Sequence, residues 1–275
     1  MPEREDPNRR ITKAERREEA RLKREEIQRK MARQRRGRLL GGIALVVAAG
    51  LIVALVVLQP FAGEDTTQAQ ASDLLKQAPA ATKTAGCTDV QTIPAYNGIS
   101  DVTNAKYVDN VHIGTNADFL TPPKLSTYPS IPPTSGPHAA LPPDGPGPLP
   151  AGVYSSPPDI YRAIHSLEHG ATIIWYDPTA SGAALDELTS FYDRKVSAAA
   201  IGQDRVIIAP YSYPDQGTAG QLPDGVQMAL VAWHRMQTCS SVSLPVAFAF
   251  TSKYSAPPAA GQTYAGEAPE AGSVL

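Results

Sequence analysis

Three side chains able to bind metal sit close together in HSLEHG, residues 165–170: His165, Glu168 and His169. At positions i, i+3 and i+4 they share one face of a helix, because about 3.6 residues make a turn. Two imidazoles and a carboxylate on one face form a chelating arrangement for zinc, copper or iron. The order HxxEH also matches the inverted zincin pattern, in which two histidines hold zinc and the glutamate acts as base. Gly170 and the strand-like ATIIWY follow at once, where a zincin helix would continue. No later helix offers an obvious further carboxylate ligand, so a peptidase is disfavoured. A plainer alternative stays open. The histidines would cap the helix C-terminus as imidazolium groups, and Glu168 would accept their N–H bonds.

Other histidines extend the set. His138 ends PPTSGPH, residues 132–138, where neighbouring prolines reduce the entropy lost on fixing its position. His112 lies near the end of a strand candidate, and Tyr154 follows Gly152 in a turn; either can complete a site. His234 follows Trp233 and shares a period-two face with Met228 and Met236. Such a face suits Cu(I), but a Met/His stripe is more often core, and it is assigned to the core. Nucleophilic catalysis is poorly supported. Ser135 and Ser166 lie near histidines without a GxSxG elbow, and no phosphate-cradling glycine loop or dinucleotide fingerprint occurs. No catalytic residue is assigned.

These groups need a scaffold, and charge divides the chain sharply. Residues 1–38 hold 15 Lys and Arg against 8 Asp and Glu, a net of +7; the remainder carries −9. Between them, LLGGIALVVAAGLIVALVVLQ at 39–59 is uncharged and long enough to cross about 30 Å of hydrocarbon as a helix. MARQRRGR precedes it and PFAGEDTTQ follows, so the positive-inside rule predicts a cytoplasmic N-terminus and an extracytoplasmic remainder. The basic region and apolar run are both too long for an ordinary cleaved signal peptide, which favours a signal anchor in the cell membrane. The segment 12–37 reads as a charged helix opened by the capping box Thr12 and Glu15. Its basic end suits anionic lipid headgroups. Nucleic acid is a remote partner, because the segment mixes both charge signs and lacks interleaved aromatics.

Residues 60–84 read as a polar, Ala-rich stalk with a hint of helix at 72–78. Residues 85–256 read as one extracytoplasmic α+β domain, with a small mixed sheet, packed helices and a long Pro-rich wrapping loop. Strand candidates are 105–114, 171–177, 205–211 and 227–233; helix candidates are 157–169, 181–195 and 241–253. Ser156 is the expected cap of the first helix, with Pro157 and Pro158 in its first turn, and Gly170 closes it. The stretch 121–158 holds 13 of the 26 prolines. Residues 257–275 read as a flexible tail. Cys87 and Cys239 both fall on the expected outer side, where an oxidising compartment favours pairing. The bridge would close a loop of about 152 residues, contributing up to about 5 kcal/mol by the chain-entropy argument.

The chain resembles the domain-of-unknown-function 3105 family, membrane-anchored bacterial proteins common in actinobacteria. The resemblance rests on AGC at 85–87, PPTSGPH at 132–138, GVY at 152–154, HSLEHG at 165–170, AP at 209–210, AW at 232–233 and APE at 268–270. It implies an extracytoplasmic domain on one N-terminal span. It also implies that His138, His165, Glu168 and His169, with His112, are the family-type positions. It carries no activity.

Three functions follow as expectations. The first is binding of copper or zinc for handling rather than catalysis, through His138, His165, His169, Glu168 and His112. The second is a metal-dependent hydrolase built on the same cluster, with Glu168 as general base. The third is a metal-free module that meets a cell-envelope protein through the Pro-rich loop. A non-enzymatic role is favoured. The topology is directly testable: a reporter active only in the cytoplasm, fused after Leu275, is expected to be silent, and strong reporter activity would overturn the orientation.

Overall fold

The computed structural model of the protein describes residues 70–98, 109–114, 121–193, 204–258 and 261–273. The basic segment 1–38, the apolar segment 39–59 and residues 60–69 of the expected stalk lie outside the described residues. So do 105–108 of the first strand candidate and 194–195 of the second helix candidate. Among the described residues, no helix is long and apolar enough to cross a membrane.

In chain order, residues 70–84 form helix α1, followed by strands β1 (Gln91–Thr92), β2 (His112–Ile113), β3 (His138–Ala139) and β4 (Gly152–Val153). Helix α2 (Ile160–Glu168), strand β5 (Thr172–Tyr176), helix α3 (Ala183–Asp193) and strand β6 (Val206–Pro210) come next. The hairpin of β7 (Met228–Ala232) and β8 (Arg235–Cys239) precedes helix α4 (Leu244–Tyr254). Six strands make one mixed sheet in the order β1-β8-β7-β5-β6-β4. β5 and β4 run parallel to β6, while β7 runs antiparallel to β5 and β8. β2 and β3 form a separate parallel pair. The architecture is α+β.

The central strands TIIWY, VIIAP and MALVA are almost continuously apolar because both faces of the sheet are covered. Side chains alternate between the faces. Ile173, Trp175, Ile207, Ala209, Ala229 and Val231 point to one side, where Ile160, Ala163, Ile164 and Leu167 of α2 cover them. Ile174, Val206, Ile208, Met228 and Leu230 point to the other side. Leu188 and Phe191 of α3 and Val246, Phe248 and Phe250 of α4 cover that face. Cys87 and Cys239 are disulfide-bonded, their Cα atoms 3.9 Å apart, and tie the start of the domain to the end of β8.

Several expectations change. Residues 70–84 are not a spacer: Ala71, Leu74 and Ala78 are buried, and Ala71 and Leu74 join the core beneath α3 and α4. Pro79 lies inside this helix, and a proline there argues against helix in the sequence. Within 257–275, expected to be a flexible tail, residues 261–273 hydrogen-bond the end of α2 through Glu270 N–H to the Glu168 carbonyl at 3.1 Å and Gly272 N–H to the His169 carbonyl at 3.4 Å. The cap of α2 is Asp159, not Ser156; its carboxylate accepts from the N–H groups of Tyr161 and Arg162. Pro157 and Pro158 therefore precede the helix. His234 is not a core strand residue. With Trp233 it forms the two-residue turn of the β7–β8 hairpin, at φ 57, the left-handed conformation that tight hairpin turns require. Strand β8, absent from the strand candidates, is mostly polar in RMQTC, with Gln237 and Cys239 buried.

The packing of α1 sets an expectation for stability. Leu74→Ala should lower the unfolding free energy by about 2–5 kcal/mol, as for other buried leucines, read by chemical denaturation. A change within about 0.5 kcal/mol, the usual range for surface sites, would mean that α1 does not belong to the core.

Candidate metal centre

The site is assembled by three short pieces of chain. Helix α2 turns its apolar stripe to the sheet, which leaves His165 and Glu168 on the face toward β3. Gly136 in the SGP turn has φ +123, and a Cβ there would come 2.7 Å from the Tyr128 ring. Only glycine fits that turn against the ring, and the turn delivers His138 to the start of β3. The parallel pairing then puts His112 in register with His138. The Pro-rich loop is fastened around α2. Arg162 donates from Nε to the Gly147 carbonyl and from Nη2 to the Pro148 carbonyl, and Ser166 Oγ accepts from Leu149 N–H.

His112, His138, His165 and Glu168 thereby converge, each offering one ligand atom, all within 4.8 Å of one another. Their imidazole centroids are 4.7–5.0 Å apart. His138 and His165 are fully buried and Glu168 is 2% exposed, while the His112 side chain, 29% exposed, forms the solvent edge. His169, at the C-cap of α2, is adjacent: its ring centroid is 4.8 Å from that of His165. It forms a second group with Glu168 and Glu270.

The backbone fixes the tautomers. His138 Nδ1 lies 2.8 Å from the Gly136 carbonyl and His165 Nδ1 lies 2.6 Å from the Ala139 carbonyl. A carbonyl only accepts, so each Nδ1 carries the proton and a neutral ring turns a lone pair outward from Nε2. His138 Nε2 approaches Glu168 Oε2 to 2.9 Å, yet both atoms are buried without a hydrogen bond. Two such atoms facing each other in a dry site need a proton or a metal ion between them.

Charge states agree with this geometry. Burial, with the neighbouring His138 as the next cause, pushes the His165 imidazole down to about 4. His112 is lowered for the same two reasons. At Glu168 burial acts upward, but His138, His112 and His165 outweigh it and hold the carboxyl below the ordinary glutamate range. His165 is therefore a neutral ring at pH 7 and not an imidazolium cap of the helix end. Neutral His165 and ionised Glu168 are the protonation states that a metal ligand requires.

A separate acid–base pair braces the outside of the cluster. His234 Nε2 bonds Asp109 Oδ2, and Asp109 Oδ1 accepts from Ser135 Oγ at 2.8 Å and from Tyr96 N–H. Asp109 thus links the β7–β8 turn to the SGP segment that carries His138. Neither Asp109 nor Glu270 stands out in the sequence by spacing; Glu270 lies in the APE tripeptide. Tyr154, by contrast, donates to the Pro150 carbonyl and belongs to the loop.

This pair gives a pH expectation. Its hydrogen bond to Asp109 raises the His234 pKa above 6.5. The folded chain therefore holds that proton more tightly than the unfolded chain. The resulting stabilisation is complete below pH 6.5 and fades as pH rises through the folded value. For Asp109 burial acts upward, but its bonds to His234, Tyr96 and Ser135 lower the pKa below 3.8. Its contribution is complete above pH 3.8 and fades as pH falls through the folded value. Denaturation midpoints of the native chain and of His234→Gln should differ most between those limits and converge on the alkaline side. A difference independent of pH would show that the pair carries no proton linkage.

A family model described as "Protein of unknown function (DUF3105)" matches residues 122–269. No curated protein and no solved structure matches the chain. The matched stretch contains His138, His165, Glu168 and His169 and more than half of the chain. The protein belongs to the domain-of-unknown-function 3105 family.

Proposed function

We propose that the domain binds a transition-metal ion through His112, His138, His165 and Glu168, and does so to hold or pass on the ion rather than to catalyse a reaction. The observation that carries this reading is the approach of His138 Nε2 and Glu168 Oε2 to 2.9 Å, both buried and neither hydrogen-bonded. Three imidazole nitrogens and a carboxylate oxygen suit zinc or copper(II). The Nδ1–H bonds to the carbonyls of Gly136 and Ala139 are the outer contacts that commonly orient ligating histidines. Burial of three of the four ligands supports retention over turnover, since a catalytic ion keeps a position open to substrate.

The setting of the domain is part of the same proposal. The charge asymmetry across 39–59 favours a single membrane span with the N-terminus in the cytoplasm and residues beyond 60 outside. The Cys87–Cys239 disulfide supports an oxidising compartment. The bilayer is then one partner, and a cell-envelope protein that delivers or receives the ion is the other.

Elemental analysis tests the reading. The full chain, purified without chelators or a histidine tag, is expected to retain zinc or copper. His138→Gln should weaken metal affinity by at least about tenfold while circular dichroism shows the fold intact. Native protein that takes up neither metal, or a variant that binds as tightly as the native chain, would refute it.

A further inference from the structure

The cluster does not end at the four residues already assigned. Glu168 also belongs to a second set with His169 and Glu270, whose ligand atoms again lie within 4.8 Å of one another. Resting on the reading that the first set holds an ion, we propose that Glu168 bridges two divalent first-row metal ions. One is held by His112, His138 and His165, and the other by His169 and Glu270.

Three observations carry this. First, a carboxylate has two oxygens, and Glu168 stands where both sets meet, 2% exposed, with Oε2 beside His138 and His112. Second, the His169 ring is oriented as a ligand. Ser273 Oγ lies 2.7 Å from the Glu270 carbonyl and 2.9 Å from His169 Nδ1. The hydroxyl has one proton and gives it to the carbonyl, so Nδ1–H must donate to Ser273. That turns His169 Nε2 toward the cluster, 3.0 Å from His165 Nε2. Third, His169 Nε2 and Glu270 Oε2 are 3.4 Å apart. Two ligand atoms of one ion, at bonds of about 2.0–2.2 Å, stand within about 4.4 Å of each other. A shared carboxylate would place the ions about 3.5–4 Å apart.

The two positions differ in access. The first is enclosed by His138, His165 and Glu168, which are almost fully buried, with His112 at its solvent edge. The second is closed by Glu270, whose side chain is 49% exposed, on a segment joined to the end of α2 by the Glu270 and Gly272 N–H groups. Water completes the coordination there, so the second ion exchanges more readily with solvent than the first.

Stoichiometry decides the matter. The full chain, freed of metal and dialysed to equilibrium against zinc, should hold about two ions, and Glu270→Gln about one, with unchanged circular dichroism. One ion in both proteins would overturn the bridged pair and leave the single-ion reading standing. No ion in either would remove that reading itself. Two ions in the variant would remove Glu270 as a ligand and overturn the proposal as well. If the variant does not fold, copper(II) loading of the native chain still decides. A second equivalent should weaken the isolated-ion electron paramagnetic resonance signal, because ions about 3.5–4 Å apart couple. A signal that simply doubles overturns the proposal.

Discussion

Two backbone carbonyl oxygens, those of Gly136 and Ala139, set the chemistry of the whole cluster. Each takes the Nδ1 proton of a buried histidine, His138 and His165 respectively. Without those bonds the rings could rotate or change tautomer, and a histidine–glutamate salt bridge would be an ordinary outcome. With them, Nε2 of each ring is the nitrogen turned into the cluster, that of His138 toward Glu168 and that of His165 toward His169. The proline-rich loop matters for this reason. Its carbonyls stay in place because Arg162, Ser166 and Tyr128 bond the same segment. The helix, the loop and the short β2–β3 pair are thus parts of one device for holding three imidazole rings around a carboxylate.

The sheet supplies the rigidity beneath that device. Its two apolar faces bind α2 on one side and α1, α3 and α4 on the other, so the helix bearing HSLEHG cannot shift without opening the core. The disulfide and α1 act at the other end of the domain, where Cys87 joins the strand that leads into α4. Site and scaffold share α2: one face serves packing, and the adjoining face serves the cluster.

How much of this was legible in the sequence depended on whether a local rule applied. His165, Glu168 and His169 are readable because helical periodicity alone puts them side by side. His138 is readable because PPTSGPH is a stiff, unusual string ending in a ligand-type residue. The pairing of His112 with His138 is not, since a two-residue parallel bridge leaves no pattern of its own and depends on where a long loop returns. The three central strands are evident from their apolar runs, whereas β8 is concealed by Arg235, Gln237 and Thr238 on a partly exposed strand. Helix α1 is obscured by Pro79, although Ala71, Leu74 and Ala78 follow a helical stripe. Glu270 is hidden for a different reason. Its position comes from backbone hydrogen bonds to the end of α2, which no composition or period encodes.

Gly170 has a bearing on the order in which the molecule can be completed. At φ +84 it terminates α2, and a Cβ there would come 2.6 Å from Ala256 and 3.4 Å from Ala271. The helix end is therefore a seat shaped for a segment about a hundred residues further along. Synthesis runs from N to C, so Cys239 and the last strand of the sheet leave the ribosome before the segment that occupies the seat. The disulfide can close, and the core can form, while the cluster is still uncovered on that side. Enclosure of the cluster on that side therefore requires the last part of the chain, whatever the order in which the rest folds.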